Sequence, residues 1–317
     1  MTETTPTNQR SVLYDNITGA IVRAIEDGAK GGAYRMPWNR IALRHRSVED
    51  RPYRGMNALV LSCAALDRGY SPRVWGTYRA WAARGGQVRK GEKGTAIVVW
   101  KATRNTPPWE PQEGDAGDEQ PHRARLFARA FWVFNAAQID GIDVEEYADQ
   151  PRPIGDLLAP DWRVPQALQM MGVPVHWGGD RAFYRIQHDE IHMPDRRLFT
   201  EARDITSVLA HEAIHATGHV KRLGREFGKR FGDRAYAVEE LVAELGAAMA
   251  LGHWGYAITE RPDHAHYIAS WLEVLRADAK AILTVASAAQ KAADYLLEAA
   301  GVRTDDTPAV QPEEIQA

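Results

Sequence analysis

His211-Glu-Ala-Ile-His215 is the stretch on which the reading of this 317-residue chain turns. Four-residue spacing on a helix puts His211 and His215 on one face, one turn apart, so both imidazoles can bind a single Zn2+. Glu212, beside the first of them, is placed to act as general base toward the attacking water, whose proton a metal makes easier to remove. The flanks agree. Asp204-Ile-Thr-Ser-Val-Leu-Ala210 carries a helical apolar face, and Gly218 follows closely enough to end the helix.

A hydrolytic zinc site takes three protein ligands, so a third must come from elsewhere. Downstream, Tyr236-Ala-Val-Glu-Glu-Leu-Val-Ala-Glu-Leu-Gly246 reads as a second helix with acids on an otherwise apolar surface. Glu240 and Glu244 are four apart and share a face, whereas Glu239 is rotated from Glu240 by roughly 100°. Glu240 is therefore assigned as the third ligand, with Glu239 the nearest alternative. Glu244 is expected to orient a ligating histidine by accepting its other ring proton. His219 stands eight residues after His211, not the ten of HExxHxxGxxH, and is read as a polar residue of the turn.

Working outward, prolines cluster in QPRPIGDLLAPDWRVP, ahead of three short strand-like runs at Val173–His176, Ala182–Gln187 and Glu190–Met193. The cluster predicts a boundary between an N-terminal domain over residues 10–148 and a C-terminal one over 160–301, with 302–317 a disordered tail. The N-terminal part shows helical periodicity over Val12–Gly28 and Gly55–Arg68, and a short helix at Thr77–Ala83. Thr95–Lys101 and Leu126–Phe134 are β-rich runs expected to pair antiparallel, joined by a Pro-, Gly- and acid-rich loop over Asn105–His122. The fold class is α+β in two domains.

Charge is divided along the chain. Gly31–Arg104 holds 15 Lys and Arg against 4 Asp and Glu, a local +11 within a net charge of −3. Aromatic and basic residues interleave there as single-stranded nucleic acid requires, with rings for unstacked bases and cations for phosphates. Trp38, Tyr53, Trp75 and Tyr78 are the expected stacking residues. Arg54, Arg73, Arg79, Arg89, Lys90 and Lys93 are the expected phosphate contacts, the last three on a flexible Gly-rich segment. Trp100 and Trp132, on the two strands, are expected in the core. No helix-turn-helix or zinc-finger spacing appears, and composition does not choose DNA over RNA.

The apolar runs fall well short of the roughly 18–20 residues that span a bilayer, and mean hydropathy is −0.43. The N-terminus has no secretory pattern, and Cys63 is the only cysteine, a combination expected of a cytoplasmic protein without a membrane partner.

Several long blocks resemble the ArdC antirestriction proteins of conjugative plasmids, whose N-terminal domain is also joined to some plasmid primases. In the first half they are Pro37-Trp38, YRGMN at Tyr53–Asn57, KGEKG at Lys90–Gly94 and VFNAAQIDG at Val133–Gly141. In the second they are HEAIHATGH at His211–His219, YAVEELVAELGAA at Tyr236–Ala248 and HYIASWLEVL at His266–Leu275. The resemblance spans roughly residues 10 to 300. It implies a single-stranded DNA-binding domain followed by a zincin-like metallopeptidase domain of the gluzincin type, and protection of incoming DNA from restriction. It carries the metal ligands onto His211, His215 and Glu240 and the catalytic glutamate onto Glu212. Tyr184–Pro194 would then supply the strand that borders the substrate cleft, where a peptide could add as a further strand.

Together these readings describe a DNA-associated zinc peptidase of unknown protein substrate, with Mn2+ or another divalent ion as alternative metal. The rival is a protective single-stranded DNA-binding protein whose metal site is structural or accessory. A metal-dependent nuclease is less well supported, because paired acidic Mg2+ sites are not evident.

Overall fold

The computed structural model describes residues 18–23, 25–27, 45–102, 126–148, 162–227, 234–256, 268–278 and 281–303. Trp38, the loop over Asn105–His122 and the tail from residue 304 lie outside the described residues, as does the side chain of Trp100. Residues 18–23 and 25–27 are helical, with Ile21 and Ile25 in the core.

The N-terminal half is a four-stranded sheet with helix α1 (Gly55–Arg68) against one face. Its strands, β1 (Arg46–Ser47), β2 (Val74–Gly76), β4 (Thr95–Ala102) and β5 (Leu126–Asn135), lie in the order β1-β2-β5-β4. The expected antiparallel pair forms, in register from Thr95 opposite Val133 to Ala102 opposite Leu126. Among the described residues strand β4 is an edge, and an unpaired edge invites another chain. Asn57 on α1 covers part of it: Nδ2 donates to the Val98 carbonyl (2.8 Å) and Oδ1 accepts from the Val98 N–H (2.9 Å). Helix α2 (Tyr78–Ala82) opens on Thr77, whose hydroxyl accepts from the Ala80 N–H (3.1 Å). A second ladder joins β3 (Gln87–Val88) to β6 (Ile139–Asp140).

The C-terminal half begins with α3 (Arg163–Met170) and a three-stranded sheet of β7 (Val175–Trp177), β8 (Phe183–Arg185) and β9 (Glu190–Met193). Among the described residues four helices follow: α4 (Ala202–Thr217), α5 (Arg234–Trp254), α6 (Ile268–Ala277) and α7 (Ala281–Ala299). The strand order is β7-β9-β8, so β9 is bonded on both sides. The Tyr184–Pro194 segment is thus a β8–β9 hairpin in which, among the described residues, β8 and not β9 has an outer edge. Ile191 and Met193 on the inner face of β9 are fully buried in the core that also holds Ala210 and Ile214 of α4.

Helix α5 is apolar nearly all round and buried along most of its length, so neighbours must approach it closely. At Gly246 an added Cβ would lie 2.9 Å from Ile214 Cγ2 and 3.3 Å from the Ala289 carbonyl oxygen. Glycine here is a spacing device. It lets α4, which bears the HEAIH motif, lie directly on α5, which bears the acids.

One hydrophobic cluster crosses the proline-rich boundary, joining Ala58, Leu59 and Cys63 of α1 to Ala289, Ala293 and Leu296 of α7. The YRGMN block builds that junction. Tyr53 is in the core, Arg54 pairs with Asp294, and the Gly55 N–H donates to Gln290 Oε1 (2.8 Å). Gly55 has φ +53°, a left-handed conformation that a side chain would strain.

Candidate metal centre

Helical phase decides the inner geometry. His211 and His215, on consecutive turns of α4, direct their Nε2 atoms to within 3.2 Å of one another. Glu240, reaching across from α5, places Oε2 3.5 Å from His211 Nε2 and Oε1 3.5 Å from His215 Nε2. The three ligand atoms lie within 4.8 Å of one another, and all three residues are buried. Two nitrogens bound to one tetrahedral zinc at about 2.0–2.1 Å would stand roughly 3.4 Å apart, close to the spacing found. The donor set, two imidazoles and a carboxylate, suits zinc and also accommodates manganese.

The electrostatics favour a cation. Burial pulls the His215 imidazole down, but the carboxylates of Glu240 and Glu239 more than reverse this and push it up to about 10. Glu240 moves oppositely: burial raises its carboxyl, and the two histidines outweigh that and hold it far below the usual carboxylate range. Buried carboxylates are costly unless compensated, so acids on the inner side of an apolar helix mark a place built to hold positive charge.

A carboxylate also stands behind each imidazole, and the one behind His215 is hydrogen-bonded to it. His215 Nδ1 donates to Glu239 Oε1 (3.1 Å), and His211 Nδ1 lies 3.5 Å from Glu244 Oε2. Glu244 thus lies on the Nδ1 side of His211. Glu239, weighed only as an alternative ligand, proves to be the partner of His215. Its rotation from Glu240 carries it round to the far side of that ring. Arg225 completes the arrangement. Its guanidinium donates to both Glu239 oxygens (2.7 and 3.0 Å), to the Ile214 carbonyl (2.7 Å) and to Thr217 Oγ1 (2.8 Å).

Arg225 can reach these groups because residue 218 is glycine. An added Cβ there would sit 2.9 Å from the guanidinium carbon and 2.7 Å from Phe227 Cζ. Gly218 has an ordinary helical φ of −77°, so space and not conformation explains it. Arg222, from the same turn, donates to the Ala216 carbonyl (2.6 Å) and pairs with Asp189. The last carbonyls of α4 are thereby shared out: Ile214 and Ala216 accept from the two arginines, and His215 and Thr217 from the N–H groups of Gly218 and Leu223. His219 is a turn residue as expected, its Nδ1 accepting from the Lys221 N–H (3.2 Å). Sequence reasoning missed Arg222 and Arg225, which carry no periodic signal. Glu212 is buried beside His211.

Replacing Glu239 with Gln should keep one metal per chain and weaken its binding by about 10–100-fold, the usual cost of losing an outer hydrogen-bond partner. Competition with a chromophoric chelator reads this directly. Affinity equal to that of the parent chain would remove Glu239 from the site.

The expected nucleic-acid residues are only partly exposed. Trp75 is 0% and Tyr53 5% exposed, so neither can offer a ring face to a base. Trp75 instead donates its indole N–H to His45 Nδ1 (3.0 Å), leaving His45 Nε2–H to meet Ser62 Oγ (2.9 Å). Burial and the nearby Arg73 hold that imidazole down at about 3, so it is the neutral acceptor the indole needs. Arg73 is half-buried beside it, and Arg54 belongs to the junction with Asp294. Tyr78, Arg79, Arg89, Lys90 and Lys93 are exposed. Trp132, expected in the core, is 59% exposed.

The fold and the site define a zincin-like metallopeptidase unit: residues 163–288 match the family model described as a zincin-like metallopeptidase, and residues 11–134 match the N-terminal domain of anti-restriction factor ArdC. The chain is similar to the ArdC antirestriction protein of plasmid R388. The metal-free crystal structure superposes with a TM-score of 0.72 at 35% identity, covering 91% of this chain and 98% of that one. The Mn(II)-bound structure of that protein gives 0.71 at 34%, with the same coverage. The chain is also 41% identical to the uncharacterized protein y4eC of Sinorhizobium fredii, over 93% of each. To a DNA primase TraC of Escherichia coli it is 36% identical over 77% of its own length, which is 23% of that longer protein. The chain belongs to the ArdC antirestriction family. None of its described helices is long and apolar enough to cross a membrane.

Proposed function

We propose that this chain is an antirestriction protein that holds single-stranded DNA through its N-terminal half and hydrolyses peptide bonds in its C-terminal half. The observation that carries the second part is the buried His211–His215–Glu240 group, which among the described residues numbers three donors. Structural zinc sites are closed by four protein ligands, whereas three leave a position open. A divalent ion held there supplies a Lewis acid and lowers the pKa of water. Glu212 takes the proton of the attacking water and returns it to the departing amine. His215, held by Glu239 and Arg225, and His211, backed by Glu244, keep their Nε2 atoms fixed so that nothing need rearrange during the reaction. The Mn(II)-bound relative supports a divalent ion, and zinc is the proposed one. The kinship with an antirestriction protein and with DNA primases supports DNA as the polyanion met by the basic half.

The test is metal analysis of the purified chain together with a search of a host proteome for fragments formed in its presence. One zinc per chain is expected, with fragments that vanish on chelation and return when zinc is restored. A chain that takes up no divalent metal, or fragments unaffected by chelation, would overturn the hydrolytic reading.

A further inference from the structure

The turn between β3 and β4 is braced, contrary to the flexibility its glycines suggest. Residues 89–92 form a tight turn closed by Glu92 N–H to the Arg89 carbonyl (3.2 Å), with Gly91 at φ +90° in the position that favours glycine. Glu92 is held by its neighbours: Oε2 accepts from Gln138 Nε2 (2.9 Å) and Oε1 from Arg89 Nη2 (3.0 Å). The Lys93 carbonyl accepts from Arg68 Nη1 (2.9 Å) and Gln138 Nε2 (3.1 Å). Arg89 also donates to the Ala137 carbonyl, so part of its guanidinium is engaged in holding the turn.

Two charges remain. Lys90 and Lys93 are exposed, and neither ammonium has a hydrogen bond or ion pair among the described residues. An exposed ring stands at each end of the turn. At one end Tyr78, 49% exposed, accepts at its hydroxyl from Gln87 Nε2 (2.7 Å). At the other, Gly94 packs closely on Trp132, where an added Cβ would lie 3.0 Å from Trp132 Cβ. Trp132 is on β5 opposite Ala96, and it projects where its strand neighbour Val133 is fully buried.

We propose that this braced turn and its two flanking rings form the surface that holds the single strand, with bases stacked on Trp132 and Tyr78 and phosphates met by Lys90 and Lys93. The assignment rests on the single-stranded DNA reading above and gives it a place. A rigid turn lowers the ordering cost of binding. Ring faces open to solvent suit unstacked bases, which a duplex does not offer.

Fluorescence anisotropy of a labelled oligodeoxythymidylate with the full chain tests this. Trp132→Ala should weaken binding by about 5- to 150-fold, the range for losing one base–aromatic stack. Trp132→Phe should restore much of it, which shows that the effect is not a folding defect. Lys90→Ala with Lys93→Ala should flatten the salt dependence by about 1.4, at roughly 0.7 per phosphate contact on a single strand. Trp162→Ala, an exposed tryptophan of the other half, should bind as the parent chain does. Tight binding by the parent chain that neither Trp132→Ala nor the lysine pair alters would overturn this surface while leaving single-strand binding intact. Absence of binding by the parent chain would overturn both. Equal loss of duplex and single-strand affinity in Trp132→Ala would overturn the stacking role.

Discussion

A Glu212→Gln chain should cleave its protein substrate about 10²–10⁴-fold more slowly, the range for loss of a general base, while keeping its metal and its grip on single-stranded DNA. The amide fills the same space as the carboxylate and cannot accept a proton from the attacking water. Glu212 is buried next to His211, so a carboxylate from elsewhere would have to enter the packed site to replace it. Metal content should stay at one, because the proposed donors are His211, His215 and Glu240. DNA affinity should be unchanged, because the basic turn lies in the other half of the chain. Fragment yield in a treated proteome, metal stoichiometry and oligonucleotide anisotropy measure the three separately. Undiminished cleavage would remove Glu212 from the chemistry. If cleavage is lost but protection of incoming DNA persists in cells, single-strand binding is the biological role and the peptidase is accessory.

Glu240→Ala should have the largest effect on the metal. It removes one of three donors and the carboxylate within 3.5 Å of both histidine Nε2 atoms. The expected result is a chain that emerges from dialysis without metal, a loss well beyond the about 10–100-fold of an outer partner. The comparison with Glu239→Gln is decisive because the two acids are adjacent in sequence and differ only in which side of His215 they meet. If Glu240→Ala retains its metal and Glu239→Gln releases it, the roles assigned to the two acids are reversed.

The centre was legible because it is built from helices. A 3.6-residue repeat fixes which side chains share a face, so two histidines four apart could be assigned to one ion, with Glu240 as the third donor and Glu244 on the same face, before any packing was known. The β4–β5 pair was legible from composition, since each strand is a run of β-branched and aromatic residues and a Pro-, Gly- and acid-rich stretch separates the two. What lay beyond that reading depends on groups that sequence does not place together. Arg225 reaches Glu239 only because the turn after α4 folds back over Gly218.

The nucleic-acid surface shows the same limit. Tyr53, Trp75 and Trp132 are all aromatic residues near basic ones, yet two are in the core and one faces solvent. Arg54 and Arg89 look like phosphate contacts in composition and in the fold serve a junction and a turn. The sequence by itself determined the class of fold and brought His211, His215 and Glu240 forward as a candidate donor set, because local helical geometry is set by bonded neighbours. Which aromatic and basic residues remain open to a ligand was decided only by tertiary structure. Burial and ion pairing depend on which distant segments pack against a side chain, and no local pattern encodes that.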